Sequence, residues 1–72
     1  MKIKINTEYI KLDSALKYCG IAENGAFAKE MILNGEVFVN GEVEIRRGKK
    51  LYPGDIFTVF EKEFEIEWKF PK

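Results

Sequence analysis

The sharpest chemical signal in this chain is a knot of cations. Arg46, Arg47, Lys49 and Lys50 fall within five residues, with no acid among them. Two guanidinium groups are planar forks that match phosphate oxygens, and two ammonium groups add point charges. Gly48 separates the two pairs and permits a tight loop. The plain alternative is a solvated turn whose charges serve solubility, because basic clusters are common on protein surfaces. Glu61, Glu63, Glu65 and Glu67 crowd the C-terminal segment. Basic and acidic side chains number 12 each, so the formal net charge is zero. The distribution therefore carries the information, and it predicts an electrically two-sided molecule.

Catalytic chemistry has little to work with. The chain contains no histidine, and Cys19 is its one cysteine. Cys19 can form no internal disulfide and supplies no zinc-binding cluster; it reads as a small buried apolar residue. The glutamates are not paired into an acid–base couple. No glycine loop followed by Lys and Ser or Thr is present to cradle a nucleotide. The expectation is a protein that is not an enzyme, with no metal, no cofactor and no small-molecule substrate.

The elements that must position the cations come next. At 72 residues the chain reads as one domain, 1–72, with a thin core. An apolar fraction of 46%, with 14% aromatic residues, makes it globular rather than disordered. No apolar run is long enough to span a bilayer. Met1-Lys2-Ile3-Lys4-Ile5 alternates charged and apolar residues, unlike a secretory signal. A cytoplasmic monomer is expected.

Residues 2–5 read as a short strand. Asp13–Cys19 reads as a helix whose stripe is Leu12, Ala15, Leu16 and Cys19, closed by Gly20. Asp13 suits the free N–H groups at its start. Asn24 is a good N-cap for a second helix with an apolar face of Ala28, Met31 and Ile32, ended by Asn34-Gly35. Val37-Phe38-Val39 is a strand, with Phe38 assigned to the core. Asn40-Gly41 is a strong type I′ hairpin signal, with Val43 and Ile45 on the return strand. After the basic loop, Tyr52-Pro53-Gly54-Asp55 is a turn, and Asp55 has a turn role rather than a catalytic one. Ile56–Phe60 is a strand and Glu61-Lys62-Glu63 a turn. Phe64, Ile66, Trp68 and Phe70 alternate with polar residues and read as the core face of a final strand.

Several of these pieces together resemble a known family, the alpha-L RNA-binding motif or S-four domain, named after a small-subunit ribosomal protein. They are Leu12-Asp13 with Leu16 and Gly20; Ala28-Lys29 with Ile32 and Gly35; Val37-Phe38-Val39-Asn40-Gly41; and Gly54-Asp55-Ile56. No piece is specific alone; their order and spacing carry the likeness. The stretch Glu42–Leu51 is also similar to the small stand-alone bacterial branch of that family. The resemblance covers residues 12–56 as the motif core and leaves 57–72 as a C-terminal strand extension. It implies an α+β fold, two helices packed on a small, mostly antiparallel sheet. It also implies binding to structured RNA, ribosomal or transfer, through the helix pair and the neighbouring loop. Many members carry Ser-Arg at the start of the second helix, where this chain has Asn24 and Gly25.

The candidate RNA-binding set is thus Arg46, Arg47, Lys49 and Lys50 in the loop, with Lys17, Asn24, Gly25 and Lys29 on the helices. Gly25 would let backbone N–H groups approach a phosphate closely. Lys2, Lys4 and Lys11 read as ordinary surface charges. Phe27 and Tyr52 are open between stacking on bases and packing. A second reading is a protein-interaction adaptor that uses its sheet edge or acidic face. A third, a small sulfur carrier, expects a terminal Gly-Gly where this sequence has Phe70-Pro71-Lys72.

Overall fold

A computed structural model describes residues 1–70. In chain order the elements are β1 (Lys2–Ile5), β2 (Ile10–Lys11), α1 (Leu12–Tyr18), α2 (Gly25–Leu33), β3 (Val37–Val39), β4 (Glu42–Val43), β5 (Lys50–Leu51), β6 (Ile56–Val59) and β7 (Lys62–Trp68). Five strands form one sheet in the order β1-β7-β6-β3-β4, and β2 pairs with β5 separately. Among the described residues only β1 runs parallel to its neighbour; the other pairs are antiparallel. This is the α+β architecture expected from the sequence. The last two residues of the expected 57–72 extension lie outside the described residues, and β7 itself is an interior strand.

One face of the sheet and both helices share a single cluster of buried side chains. From α1 come Leu12, Ala15 and Leu16; from α2, Ala28, Met31 and Ile32; from the sheet, Ile3, Val37, Phe57, Phe64 and Ile66 among others. Leu12, Leu16 and Ile32 are fully inaccessible, and such burial contributes about 1.5–3 kcal/mol per side chain. Phe57 and Phe64 sit opposite each other across β6–β7 and stack with ring centroids 5.0 Å apart. Asn24 caps α2 by accepting the Phe27 N–H on Oδ1 at 3.0 Å. Cys19 is half-buried against the core, and its thiol donates to the Leu16 carbonyl.

Both two-residue hairpin turns place positive φ at their two central positions. Asn40 and Gly41 have φ of 51° and 87°, as their types favour. Phe60 and Glu61 have φ of 51° and 64°, where a side chain with a Cβ costs about 1–2 kcal/mol per residue.

Four expectations need correction. Phe38 is exposed, not core: period-2 alternation makes it the odd residue between Val37 and Val39, which are buried. Ile45 is not on the return strand. β4 stops at Val43; the Glu44 N–H still donates to the Val37 carbonyl at 2.9 Å, and beyond it the chain turns away with the Arg46 N–H donating to the Glu44 carboxylate at 3.0 Å. The second turn is Phe60-Glu61 rather than Glu61-Lys62-Glu63. The expected turn would set Phe60 opposite Phe64; the observed register sets Phe57 there, which keeps Phe57 and Val59 inside. Finally, Phe64 and Ile66 are core, but Trp68 is partly exposed at the sheet end and Phe70 lies beyond the strand, exposed. The two rings meet edge to face at 6.0 Å.

Candidate nucleic-acid interface

The basic loop is held by its backbone. β5 pairs with β2, so Leu51 lies opposite Ile10 and Lys50 opposite Lys11. The chain then runs directly from β2 into α1. The first N–H groups of a helix have no partner within it. Here Leu12 N–H donates to the Lys49 carbonyl at 2.8 Å and Asp13 N–H to the Arg47 carbonyl at 3.1 Å. The Lys11 side chain makes no cap at the start of α1, and the Asp13 carboxylate accepts the Ser14 N–H at 2.7 Å. The loop's carbonyls take the first two N–H groups, so its tie to α1 is made by backbone and not by the basic side chains. Lys49 N–H closes the loop on the Arg46 carbonyl at 3.1 Å. Arg47 and Lys50 are exposed and Lys49 is half-buried.

A second tie runs through Asn40 and Asp55. Asn40 accepts the Ile56 N–H at 3.0 Å and donates to Asp55 at 3.2 Å. Asp55 accepts the Tyr52 N–H at 2.8 Å. The Asn40-Gly41 hairpin and the Tyr52–Asp55 turn are thereby locked together, and Asp55 has the turn role expected of it. Between them and the loop lies an open cleft of about 430 Å³, whose walls include Arg46, Lys49, Lys50 and Tyr52.

The charges are less segregated than their sequence positions suggest. Glu42, Glu44 and Asp55 also line the cleft. Arg46 lays its fork on Glu44, with Nε 3.0 Å from Oε2 and a terminal nitrogen 3.2 Å from Oε1. That bond from Arg46 lowers the Glu44 pKa, and the same contact raises that of Arg46. Arg46 therefore meets a ligand only in competition with Glu44. On the sheet face away from the helices, Lys2 pairs with Glu67 at 2.9 Å and Lys4 lies opposite Glu67 in the ladder. The bond from Lys2 lowers the Glu67 pKa, and the pair raises that of Lys2.

The eight residues singled out from the sequence are not all in one place. Arg46, Arg47, Lys49 and Lys50 cluster around the start of α1. Lys17 is in the last turn of α1, roughly 7.5 Å further along its axis at 1.5 Å per residue. Asn24, Gly25 and Lys29 belong to the cap and body of α2, all exposed. Among the described residues, no hydrogen bond joins these four to the loop.

Two residues enter that the sequence did not bring forward. Lys11 lies directly opposite Lys50, and facing like charges destabilise a ladder. Tyr9 carries the Lys50 ammonium 4.8 Å above its ring and meets Tyr52 at 5.8 Å between ring centroids, tilted by 49°. Neither had a local signal, because a two-residue ladder between distant segments leaves no readable periodicity.

Comparison with known proteins agrees with this architecture. The family profile for the S4 domain matches residues 3–67. Over 57 residues the chain is 42% identical to the "Probable ribosome maturation protein RlbA" of Bacillus subtilis, covering 79% of this chain and 80% of that protein. Over 52 residues it is 36% identical to the "Small ribosomal subunit protein uS4m" of Schizosaccharomyces pombe, covering 72% of this chain but 16% of that longer protein. With a match across nearly its whole length, on two helices packed against a mostly antiparallel sheet, the chain belongs to the S4 domain family.

Proposed function

We propose that this chain is a non-catalytic RNA-binding module with a ribosome-related role, working as a cytoplasmic, monomeric single domain on structured RNA such as ribosomal RNA. Arg47, Lys49 and Lys50 form the centre of its site, and Lys11 extends it. Arg46 contributes when it leaves Glu44. Asn24, Gly25, Lys29 and Lys17 supply a second, weaker set of contacts on the helix pair. One observation carries the reading most. The loop's carbonyls cap α1 at 2.8 and 3.1 Å, so its cations are presented on a fixed backbone with little ordering left to do on binding. The facing pair Lys11 and Lys50 supports it, because a polyanion relieves the repulsion between them. The names of the two relatives, one for ribosome maturation and one for a small-subunit ribosomal protein, point to ribosomal RNA. Recognition is mostly of backbone and shape, since the deep groove of A-form RNA hides base edges.

The test compares binding of ribosomal RNA fragments by the wild type and by the triple variant Arg47→Glu, Lys49→Glu, Lys50→Glu, across a salt series. Circular dichroism checks that the variant is folded. Equal affinity in a folded triple variant would put the RNA site elsewhere and favour the adaptor reading.

A further inference from the structure

We propose that the groove between α2 and the β6–β7 turn docks a short basic segment of another protein through a large apolar anchor side chain. The groove holds about 350 Å³ and is lined by Ile21, Phe27, Met31 and Phe60, with Glu30 and Glu36 among its walls. Phe27 is 51% and Phe60 55% exposed. Two phenylalanines from distant parts of the chain thus meet at one opening. Aromatic residues and Met are the side chains enriched where proteins bind one another.

The turn that supplies Phe60 gives a second, independent observation. Phe60 and Glu61 both sit at positive φ, where Asn and Gly are the relaxed choice. The same chain uses Asn40-Gly41 for its other two-residue hairpin. Backbone stability therefore does not account for phenylalanine at position 60, and residues held in sparsely populated conformations cluster at binding sites. What the strained turn achieves is to place a large apolar ring at the rim of the groove.

Charge selects the occupant. Among the described residues, no Lys or Arg lines the groove. Among the described residues, neither Glu30 nor Glu36 takes part in an ion pair. Glu61 adds a third carboxylate beside Phe60. Carboxylates repel phosphates and complement lysine or arginine, so the surface fits a basic peptide and disfavours RNA. The groove shares no lining residue with the cleft beside the basic loop, although Asn24, Gly25 and Lys29, the weaker RNA contacts of the proposed function, belong to the same helix as Phe27 and Glu30.

The test is an NMR titration of the isotope-labelled protein at low salt with three probes. They are a short peptide alternating leucine and lysine, the same peptide with glutamate for lysine, and oligouridine. The lysine peptide should shift the amides of Ile21, Phe27, Met31 and Phe60, and the glutamate peptide should not. The double variant Phe60→Asn, Glu61→Gly should bind the lysine peptide about tenfold more weakly or worse while melting at a higher temperature. Its lost binding then cannot be put down to lost folding. Glu30→Gln with Glu36→Gln should weaken binding and flatten its salt dependence. The proposal is overturned if the turn variant binds like wild type, if the lysine peptide shifts other surfaces only, or if oligouridine occupies the groove. Groove shifts that grow with protein concentration alone would overturn it too, by naming a second copy as the occupant.

Discussion

The two type I′ hairpins of this protein lead to opposite kinds of surface. Asn40-Gly41 is relaxed, and the Asn40 side chain is tied to Ile56 and Asp55. It is a structural joint that fixes the wall of the cleft beside the basic loop. Phe60-Glu61 takes the same backbone path with residue types that resist it, and its Phe60 lines an acidic, apolar groove. A turn that serves the backbone uses the residues the backbone prefers. A turn that presents a side chain tolerates strain to do so.

The largest expected effect lies on the cationic side. Arg47→Glu, Lys49→Glu and Lys50→Glu together should reduce RNA affinity by about a hundredfold or more at low salt. These three contacts should contribute about −2 to −3 to the slope of log affinity against log salt, and the variant's slope should be shallower by that amount. Arg46 is left in place because a glutamate there would face Glu44. The fold should survive, since the loop is held through its carbonyls.

The hairpins themselves differ next. Asn40→Ala removes two side-chain hydrogen bonds and puts alanine at positive φ. Denaturant unfolding should show a loss of about 2 kcal/mol. The opposite sign is expected at the other turn. Phe60→Asn with Glu61→Gly should gain about 1 kcal/mol, which for a domain of this size raises Tm by about 4–8 °C. Responses of opposite sign would sharpen the contrast; a loss at both turns would break it.

Smaller effects probe the charges between. Glu44→Gln releases Arg46 and removes a carboxylate from the cleft, so RNA affinity should rise about twofold to fivefold at low salt. The same contact has a pH signature. Arg46 depresses the Glu44 pKa, so the stabilisation is present above the ordinary carboxylate range and is lost as pH falls through the lowered value. A 13C-detected titration of the Glu44 carboxyl in wild type and Arg46→Gln checks the direction. The smallest effect is expected for Glu63→Gln, Glu65→Gln and Glu67→Gln together. Glu65 and Glu67 alternate with buried Phe64 and Ile66 and lie away from the helices, so RNA affinity should not fall.

Much of this architecture was legible in single stretches of sequence. The stripes of α1 and α2, the Asn24 cap and the Asn40-Gly41 turn each depend on residues within a few positions of one another. Helical period, side-chain capping and positive-φ preference are local properties, so local sequence determines them. The cation loop was equally visible as composition. Which face a strand buries, and what a loop rests on, are not local. Phe38 lost its expected place because Val37 and Val39 together fill the space under the helices. The second turn falls at residues 60 and 61 because keeping Phe57, Val59 and Phe64 inside sets its position, whatever residue types stand there. The docking of Arg47 and Lys49 carbonyls on α1, and of Lys11 beside Lys50, joins segments far apart in the chain through a two-residue ladder. Only the tertiary structure decides such pairings, because their free energy comes from the burial of the whole core and not from the residues that touch.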